Sequence, residues 1–516
     1  MNKLILLFIA LAFIACTNSN REEFKKCQTS DDCNENQYCS EVLKICHTAC
    51  IYQECGEDNG IICENKCSNE LPFCSKDNKC SNPCDNLECG SNEGMDCGSC
   101  NGNSYCKYNS CVNPCYQMQC GEDQNIECGI CSESDTCIEN NCLNIKQWNL
   151  DSDRIGESVI TDKNNNMYLL SRYNGLFLRK FNDSGEEKWK INWNSSLPGS
   201  DYGRKISIDL EGNIYITGYT EGNFGENINK GEKDIFLTKV NFDGSIEWTK
   251  QWGTRWNNLG LDIAIDSENN IYITGSTDDN LDGNTNQGET DIFLTKFSNN
   301  GLKEWTKQWG GEVYDKGSSL TIDSNNNIYV TGIKTKEYGA TIRQFPFLSK
   351  LNKSGEIIWD KDLRYLSFIL YSGKSIITDS NDNIYIIGKK DKEYEESKHD
   401  QYLGKFNNKG EEIWTKEFGY SIDKGNDITI DSKDNIYIIG ETSNGGEDRG
   451  DIFLTKFNKD GSLEYRKKWG SLKTEEAKGI TIDNNDNIYI TGSTYGNLLN
   501  EELYFKENIF LIKFKE

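Results

Sequence analysis

Four short apolar runs separated by polar turns follow one another between residues 261 and 309. Leu261-Asp262-Ile263-Ala264-Ile265 alternates with period two and predicts a strand, a, with one buried face. Asp266-Ser267-Glu268-Asn269-Asn270 is a turn rich in residues that tolerate left-handed backbone. Ile271-Tyr272-Ile273-Thr274-Gly275, dense in β-branched and aromatic residues, predicts strand b. After a polar loop, Asp291–Phe297 predicts strand c, Asn299-Asn300-Gly301 turns the chain, and Glu304–Trp309 predicts strand d. Trp305 and Trp309 are four apart and share one strand face, where large aromatics can pack on a neighbouring unit.

The pattern recurs seven times, anchored on Asp-x3-Asn-x-Tyr: Asp162–Tyr168, Asp209–Tyr215, Asp266–Tyr272, Asp323–Tyr329, Asp379–Tyr385, Asp431–Tyr437 and Asp483–Tyr489. Successive anchors stand 47, 57, 57, 56, 52 and 52 residues apart, and periods near 50 fit a four-stranded propeller blade. The last repeat has strands a and b and a strand c at Asn508–Phe514, but no strand d. Ile145-Lys146-Gln147-Trp148 matches the strand-d sequences Lys250-Gln251-Trp252 and Lys307-Gln308-Trp309, so it is expected to complete the seventh unit. Such closure leaves only short outer edges exposed. The expected fold is all-β: a seven-bladed β-propeller of four-stranded antiparallel blades over 145–516, closed by an N-terminal strand. Asp-Ser-x-x-Asn-Ile-Tyr-Ile-Thr-Gly and Asp-Ile-Phe-Leu-Thr-Lys-Phe resemble the SBBP β-propeller repeat family of bacterial surface and exported proteins. Repeats one and five depart most, with Leu170-Ser171 and Ile387-Gly388 in place of Thr-Gly. That resemblance implies an architecture but no settled activity.

The N-terminus sets an expected compartment. Met1-Asn2-Lys3 precedes an apolar run from Leu4 to Ala15, too short to span a bilayer but suited to a signal-peptide core. The run ends at Ala15-Cys16 and resembles a bacterial lipoprotein signal, with Phe13 where Leu is usual. The resemblance implies that residues 1–16 are a signal peptide plus its lipidated cysteine, Cys16, with 17–26 as linker. An ordinary cleaved signal is the alternative. Two or three acyl chains would then tether the protein to a membrane.

All 23 cysteines lie at or before Cys142. Setting Cys16 aside leaves 22, an even number, as full pairing requires. Cys27, Cys33, Cys39 and Cys46 form a first group. Three six-cysteine modules follow: Cys50, Cys55, Cys63, Cys67, Cys74 and Cys80; Cys84, Cys89, Cys97, Cys100, Cys106 and Cys111; Cys115, Cys120, Cys128, Cys131, Cys137 and Cys142. The last two modules share one spacing 31 residues apart, so 27–142 is a tandem repeat. Modules this small need cross-links or metal. Cys97-x2-Cys100 and Cys128-x2-Cys131 have zinc-knuckle spacing, but an exported setting and no paired histidine favour disulfides. Connectivity stays open, as does the choice between a stiff stalk and a protein-binding surface.

Charge narrows the partners. The formal net charge is -26, divided as -14 over 17–142 (22 acids, 8 bases), -13 over 143–516 (60 acids, 47 bases) and +1 from Lys3. This excludes nucleic acid, which needs a basic surface. In a four-stranded meander the a–b and c–d turns share one face, and these are short and nearly constant. The b–c and d–a loops on the other face vary, at 219–233, 276–290, 333–344, 389–400 and 441–450, so that face is the expected binding face. The apolar d–a stretch 363–371 offers Tyr365, Phe368 and Tyr371 as a candidate ligand patch, or as a plug over the ring. Asp278, Asp279, Asp282 and Glu289, with Asn284, form a candidate calcium loop. The Asp-x-Asn-x-Asn turns at Asp323 and Asp379 lack the glycine and glutamate of an EF-hand and read as structural.

Catalytic signals are sparse. His47 and His399 are the only histidines, and His399 beside Asp400 reads as a solvated loop pair. No nucleophile elbow occurs. Gly-x3-Trp at Gly244–Trp248, Gly355–Trp359 and Gly410–Trp414 resembles the tryptophan-docking repeats of quinone-dependent propeller dehydrogenases, the enzymatic alternative. A scaffold lipoprotein, similar in outline to the propeller subunit of the outer-membrane barrel-assembly machine, is another. The leading expectation is a monomeric, lipid-anchored protein of the bacterial cell envelope, at the outer membrane or surface. It would bind an unknown protein or glycan without catalysis or cofactor.

Overall fold

The computed structural model describes residues 155–514 apart from 339–340, 364–369, 391–399, 420–422, 444–449, 471–472 and 497–502, together with short strands between residues 37 and 147. The chain divides into two units, Met1–Ile130 and Cys131–Glu516. In the first, two-stranded antiparallel hairpins have two or three residues per strand. Their registers set Cys39 opposite Cys46, Cys74 opposite Cys80 and Cys106 opposite Cys111. The same register sets Cys137 opposite Cys142 at the start of the second unit. Cys16 and its flanking signal lie outside the described residues.

The second unit is the expected propeller: seven four-stranded antiparallel sheets among the described residues, six of them built from strands consecutive in the chain. Blades 1 to 6 span 155–193, 201–252, 258–309, 316–362, 370–418 and 424–469. In blade 3, strands a to d are Asn258–Ile265, Ile271–Thr277, Asp291–Phe297 and Lys303–Trp309. Blade 7 has strands Glu475–Ile482, Ile488–Gly496 and Leu503–Phe514. Its fourth strand is Lys146–Gln147 from the other end of the unit, with Gln147 opposite Ile512. The closure read from Ile145–Trp148 is therefore present, over two residues rather than four. Among the described residues no helix is long and apolar enough to cross a membrane.

The core lies between blades. In blade 2, Tyr215, Ile235, Leu237 and Trp252 pack against Ile263, Ile271, Ile273 and Phe293 of blade 3. Trp252 meets Phe297 across that boundary at 4.9 Å between ring centroids. The predicted aromatic pair works as expected in blade 3, where Trp305 tilts against Tyr272 and Trp309 joins the cluster shared with blade 4. The c–d turn glycines explain the Gly-x3-Trp pattern. A Cβ on Gly244, Gly355 or Gly410 would stand 2.7–3.0 Å from Trp189, Trp305 or Trp359 of the preceding blade. Glycine at positive φ lets each turn lie flat on an indole.

The anchor motif has a full physical account. Asp266 Oδ1 accepts the backbone N–H groups of Glu268 and Asn270, and Oδ2 accepts Asn270 Nδ2–H and the Tyr272 hydroxyl. The same four bonds recur in the other six repeats, for example at Asp323 and Asp379. A left-handed residue such as Asn269, Asn326 or Asp382 closes the turn. The carboxylates of the two cation-like turns are thus saturated by donors of their own repeat.

The Thr-Gly glycine of strand b is also a steric requirement. A Cβ on Gly275 would stand 1.7 Å from the Leu259 carbonyl oxygen, and Gly218, Gly332, Gly388, Gly440 and Gly492 are crowded in the same way at 1.8–1.9 Å. Gly275→Ala is expected to destabilise the propeller by about 2–4 kcal/mol, read from the urea midpoint, because two backbones must separate. Blade 1 carries Ser171 at this place.

One expected loop is a hairpin instead. Residues 333–344 continue the sheet, with strand b running Ile328–Tyr338 and strand c Thr341–Leu351. Lys334 and Lys336 pair with Asp360 and Asp362 of strand d, and Phe345 is buried, so alternating contacts carry the ladder outward.

Candidate functional site

Strand a lines the central channel, and in every blade it is bulged. Pairing with strand b shifts between Gly156 and Ser158, Gly203 and Lys205, Gly260 and Asp262, Gly317 and Ser319, Gly373 and Ser375, Gly425 and Asp427, and Ala477 and Gly479. A bulge inserts one unpaired residue and re-aims side chains. Here it sends two successive residues of blades 2 to 6, and Glu157 and Lys478 of blades 1 and 7, into the channel before the core alternation resumes at Val159, Ile206, Ile263, Leu320, Ile376, Ile428 and Ile480. The bulged residues are Glu157, Arg204, Leu261, Ser318, Lys374, Asn426 and Lys478. They differ in every blade but two, whereas the flanking glycine is constant in six.

These residues surround a polar cavity of about 240 Å³ in the half of the channel where strand a enters from the d–a loop. This is the face on which sequence variability placed a binding site. Lys205 of blade 2 reaches across to Asp427 of blade 6 at 2.6 Å. Asp427 also accepts from Ser375 Oγ and the Ile480 N–H. Burial opposes the Lys205 charge, but Asp427 and Asp262 outweigh it and hold the ammonium above the ordinary lysine value. Asp262 accepts from Ser319 Oγ at 2.6 Å and from the Leu320 and Ile263 N–H groups. Burial nevertheless raises its carboxyl above the ordinary range.

Glu157 accepts Arg172 Nε–H at 2.6 Å and lies 3.8 Å from Lys478 and 3.9 Å from Arg204. Glu476 sits 3.6 Å from Lys478, and Glu441 pairs with Lys424 at 2.6 Å. Beside Arg204, Arg172, Tyr202, Tyr219 and Lys233 form a ladder. The two rings stack at 4.8 Å with a cation over each outer face.

Lys316 and Lys374 stand apart from this network. Neither makes an ion pair among the described residues, although both line the cavity. Burial, then the like charges of Lys374 and Arg204, lower Lys316 to about 8. Burial and Arg204 lower Lys374 as well, against the opposing pull of Glu441 and Asp427. The Lys374 side chain is ringed by protein yet reached by water along the channel, so its desolvation is partial.

The residues singled out from sequence fall elsewhere. Tyr365 and Phe368 lie outside the described residues, as does His399; Tyr371 is in strand a of blade 5, Leu370–Thr378, with its side chain undescribed. The acids of the 276–290 loop do not converge. Asp278 accepts from Thr290 and Asn257, Asp282 from Lys303 and Thr306, Asp279 from the next backbone N–H, and Glu289 is exposed. No group of three His, Cys, Asp or Glu residues suited to a metal occurs among the described residues. Asn284 caps the loop through the Leu281 and Thr306 carbonyls, as Asn227 does through Phe224 and Thr249 in blade 2. The loop thus shares its architecture with one that carries glycines at the places of Asp279 and Asp282.

A family model agrees with the repeat architecture. The SBBP β-propeller repeat model matches residues 197–225, 247–282, 304–332, 413–447 and 470–500, so the chain carries SBBP repeats. It is 28% identical over 145 residues to the regulatory protein FlaEY of Caulobacter vibrioides, a match covering 25% of this chain and 15% of that protein. It is 26% identical over 169 residues to an uncharacterised WD repeat-containing protein of Acanthamoeba polyphaga mimivirus, covering 25% and 12%. The matched segments are a small part of both curated relatives. Among solved structures, polysaccharide lyase Uly1 aligns at 11% identity and a TM-score of 0.41, over 78% of this chain and 95% of that one. Drosophila Plexin A in complex with Semaphorin 1b aligns at 9% and 0.38, over 71% and 86%. A Bacteroides caccae protein of unknown function aligns at 15% and 0.34, over 52% and 84%.

Proposed function

We propose that this chain is a non-enzymatic binding module of the bacterial cell envelope, tethered through a lipidated Cys16, whose ligand enters the bulged mouth of the propeller channel. One observation carries the reading. The structural residues of the blade repeat almost unchanged, while the residues that the bulge turns into the channel differ from blade to blade. Packing alone asks for sameness at equivalent positions of a ring; a ligand with its own shape and charge asks for difference.

The cysteine-rich segment is disulfide-linked in this reading. In each of its four groups the last two cysteines are direct cross-strand partners, Cys39 with Cys46, Cys74 with Cys80, Cys106 with Cys111 and Cys137 with Cys142. Backbones at that spacing suit a bridge, and an exported setting favours one.

A glycan and protein binding screen of the full chain tests the function, run beside Ser318→Trp. Ser318 lines the cavity from a bulge, so an indole there obstructs the mouth without touching the interblade core. Ligands found with the parent chain are expected to be lost by the variant at unchanged thermal stability. Ligands retained by Ser318→Trp would place binding elsewhere.

A further inference from the structure

The mouth of the channel is lined by five carboxylates, Glu157, Asp262, Asp427, Glu441 and Glu476, and five cations, Arg204, Lys205, Lys316, Lys374 and Lys478. The balance is even in number but not in engagement. Each carboxylate already has a partner: Arg172 and Lys478 for Glu157, the Ser319 hydroxyl and two backbone N–H groups for Asp262, and Lys205 and Ser375 for Asp427. Lys424 and Lys478 complete Glu441 and Glu476. Among the described residues, the lining cations without an ion pair are Lys316 of blade 4 and Lys374 of blade 5, with Arg204 only loosely held at 3.9 Å from Glu157.

Lys316 and Lys374, on neighbouring blades, feel Arg204 across the channel as a like charge, partly offset at Lys374 by Glu441 and Asp427, in a protein whose net charge is -26. A cleft with low-dielectric walls focuses such a local field, so the mouth attracts what the rest of the surface repels. Ser318 lines the same cavity and adds a hydroxyl donor, whereas the Ser319 hydroxyl is already given to Asp262. The Tyr202–Tyr219 ladder does not offer a stacking platform, since a cation covers each outer face. Recognition here is of charge and hydrogen-bond acceptors, rather than of an aromatic or sugar ring face.

We propose that the channel mouth binds an oxyanion, the carboxylate or sulfate of an acidic ligand, between Lys316, Lys374 and Arg204. This rests on the mouth being the binding site. The lowered value of Lys316 fits a site awaiting a counter-charge: an anion would restore the ammonium toward its ordinary value. The charged groups facing Lys316 are Lys374 on the next blade, Arg204 across the channel and, on the preceding blade, Asp262, whose acceptors are taken.

The test is calorimetric titration of the full chain at low ionic strength with inorganic sulfate, glucuronate and, as the uncharged control, glucose. Saturable one-site binding of sulfate or glucuronate in the millimolar range is expected, with no response to glucose. Preference between sulfate and glucuronate tells which oxyanion the site takes. Lys316→Met/Lys374→Met should weaken binding by about tenfold or more, while Lys316→Arg/Lys374→Arg retains it. Near-ultraviolet circular dichroism confirms that both variants are folded, and removal of two like charges does not threaten the fold. Affinity should also fall between about pH 7 and pH 9 as Lys316 loses its proton. Absence of saturable binding by either anion, or equal binding by the methionine variant, overturns the proposal. A neutral ligand found in the screen and lost by Ser318→Trp would overturn it too, while leaving the binding module intact.

Discussion

Deleting residues 503–516 is expected to abolish the folded propeller, seen as loss of the near-ultraviolet tryptophan signal and of a cooperative thermal transition. The deletion removes strand c of blade 7, which is paired on both sides. Ile512 stands opposite Ile490 on one side and Gln147 on the other. Ile509, Phe510, Leu511, Ile512 and Phe514 are all essentially inaccessible to solvent. At about 1.5–3 kcal/mol for each buried side chain, the loss is on the order of 10 kcal/mol, comparable with the whole stability of a typical domain. It also strips blade 1, because Val159, Met167, Leu169 and Phe181 form their cluster with Tyr489, Ile509 and Leu511. Phe510→Ala gives the graded control. It should cost about 3–5 kcal/mol yet leave a folded, less stable ring.

Asp266→Ala is expected to destabilise the chain by about 3–4 kcal/mol, measured by urea unfolding, although it removes no apolar contact. The reason is the number of donors that one carboxylate serves. Two turn N–H groups can turn to water, but the Tyr272 hydroxyl is fully buried and Asn270 Nδ2 loses its partner in a confined turn. Tyr272→Phe alone should cost about 1 kcal/mol, and the double variant less than the sum of the singles, since the unpaired hydroxyl is then gone. Strict additivity would show that the hydroxyl finds another partner.

These two expectations draw on features that the sequence displays openly. The Asp-x3-Asn-x-Tyr anchor is visible because each of its residues is bonded to another within seven positions. Local chemistry repeats as local spelling. Closure was legible for a related reason: Lys146-Gln147 copies the strand-d text of other blades and lies where a strand was missing.

The channel mouth was harder to read. Leu261–Ile265 alternates so regularly that it looks like an undisturbed strand, yet pairing slips at Leu261 and the strand begins at Asn258. A bulge leaves no alternation of its own. Its trace is the glycine at 156, 203, 260, 317, 373 and 425, replaced by Ala477 in the last blade. The residues that follow that glycine disagree between repeats, and that disagreement was the available signal. Attention to loop length led instead to residues 276–290, whose acids prove to be tied to separate neighbours. The hairpin at 333–344 was missed because its strands continue on lysine–aspartate pairs rather than on apolar side chains.

The Lys205–Asp427 contact joins blades 2 and 6 across open space, unlike the contacts between neighbouring blades. It acts as a spoke. A ring with one spoke is stiffer along that chord than across it. Flattening that draws blades 2 and 6 apart must stretch a short, partly buried ion pair, whereas no such pair among the described residues opposes swelling at right angles. The spoke also partitions the lumen. Blades 3 to 5, with Lys316 and Lys374, lie on one side, and blades 7 and 1, with the Glu157 network, on the other. The softer direction of breathing is thus the one that widens the cationic compartment, and a guest held there meets a wall on one side only.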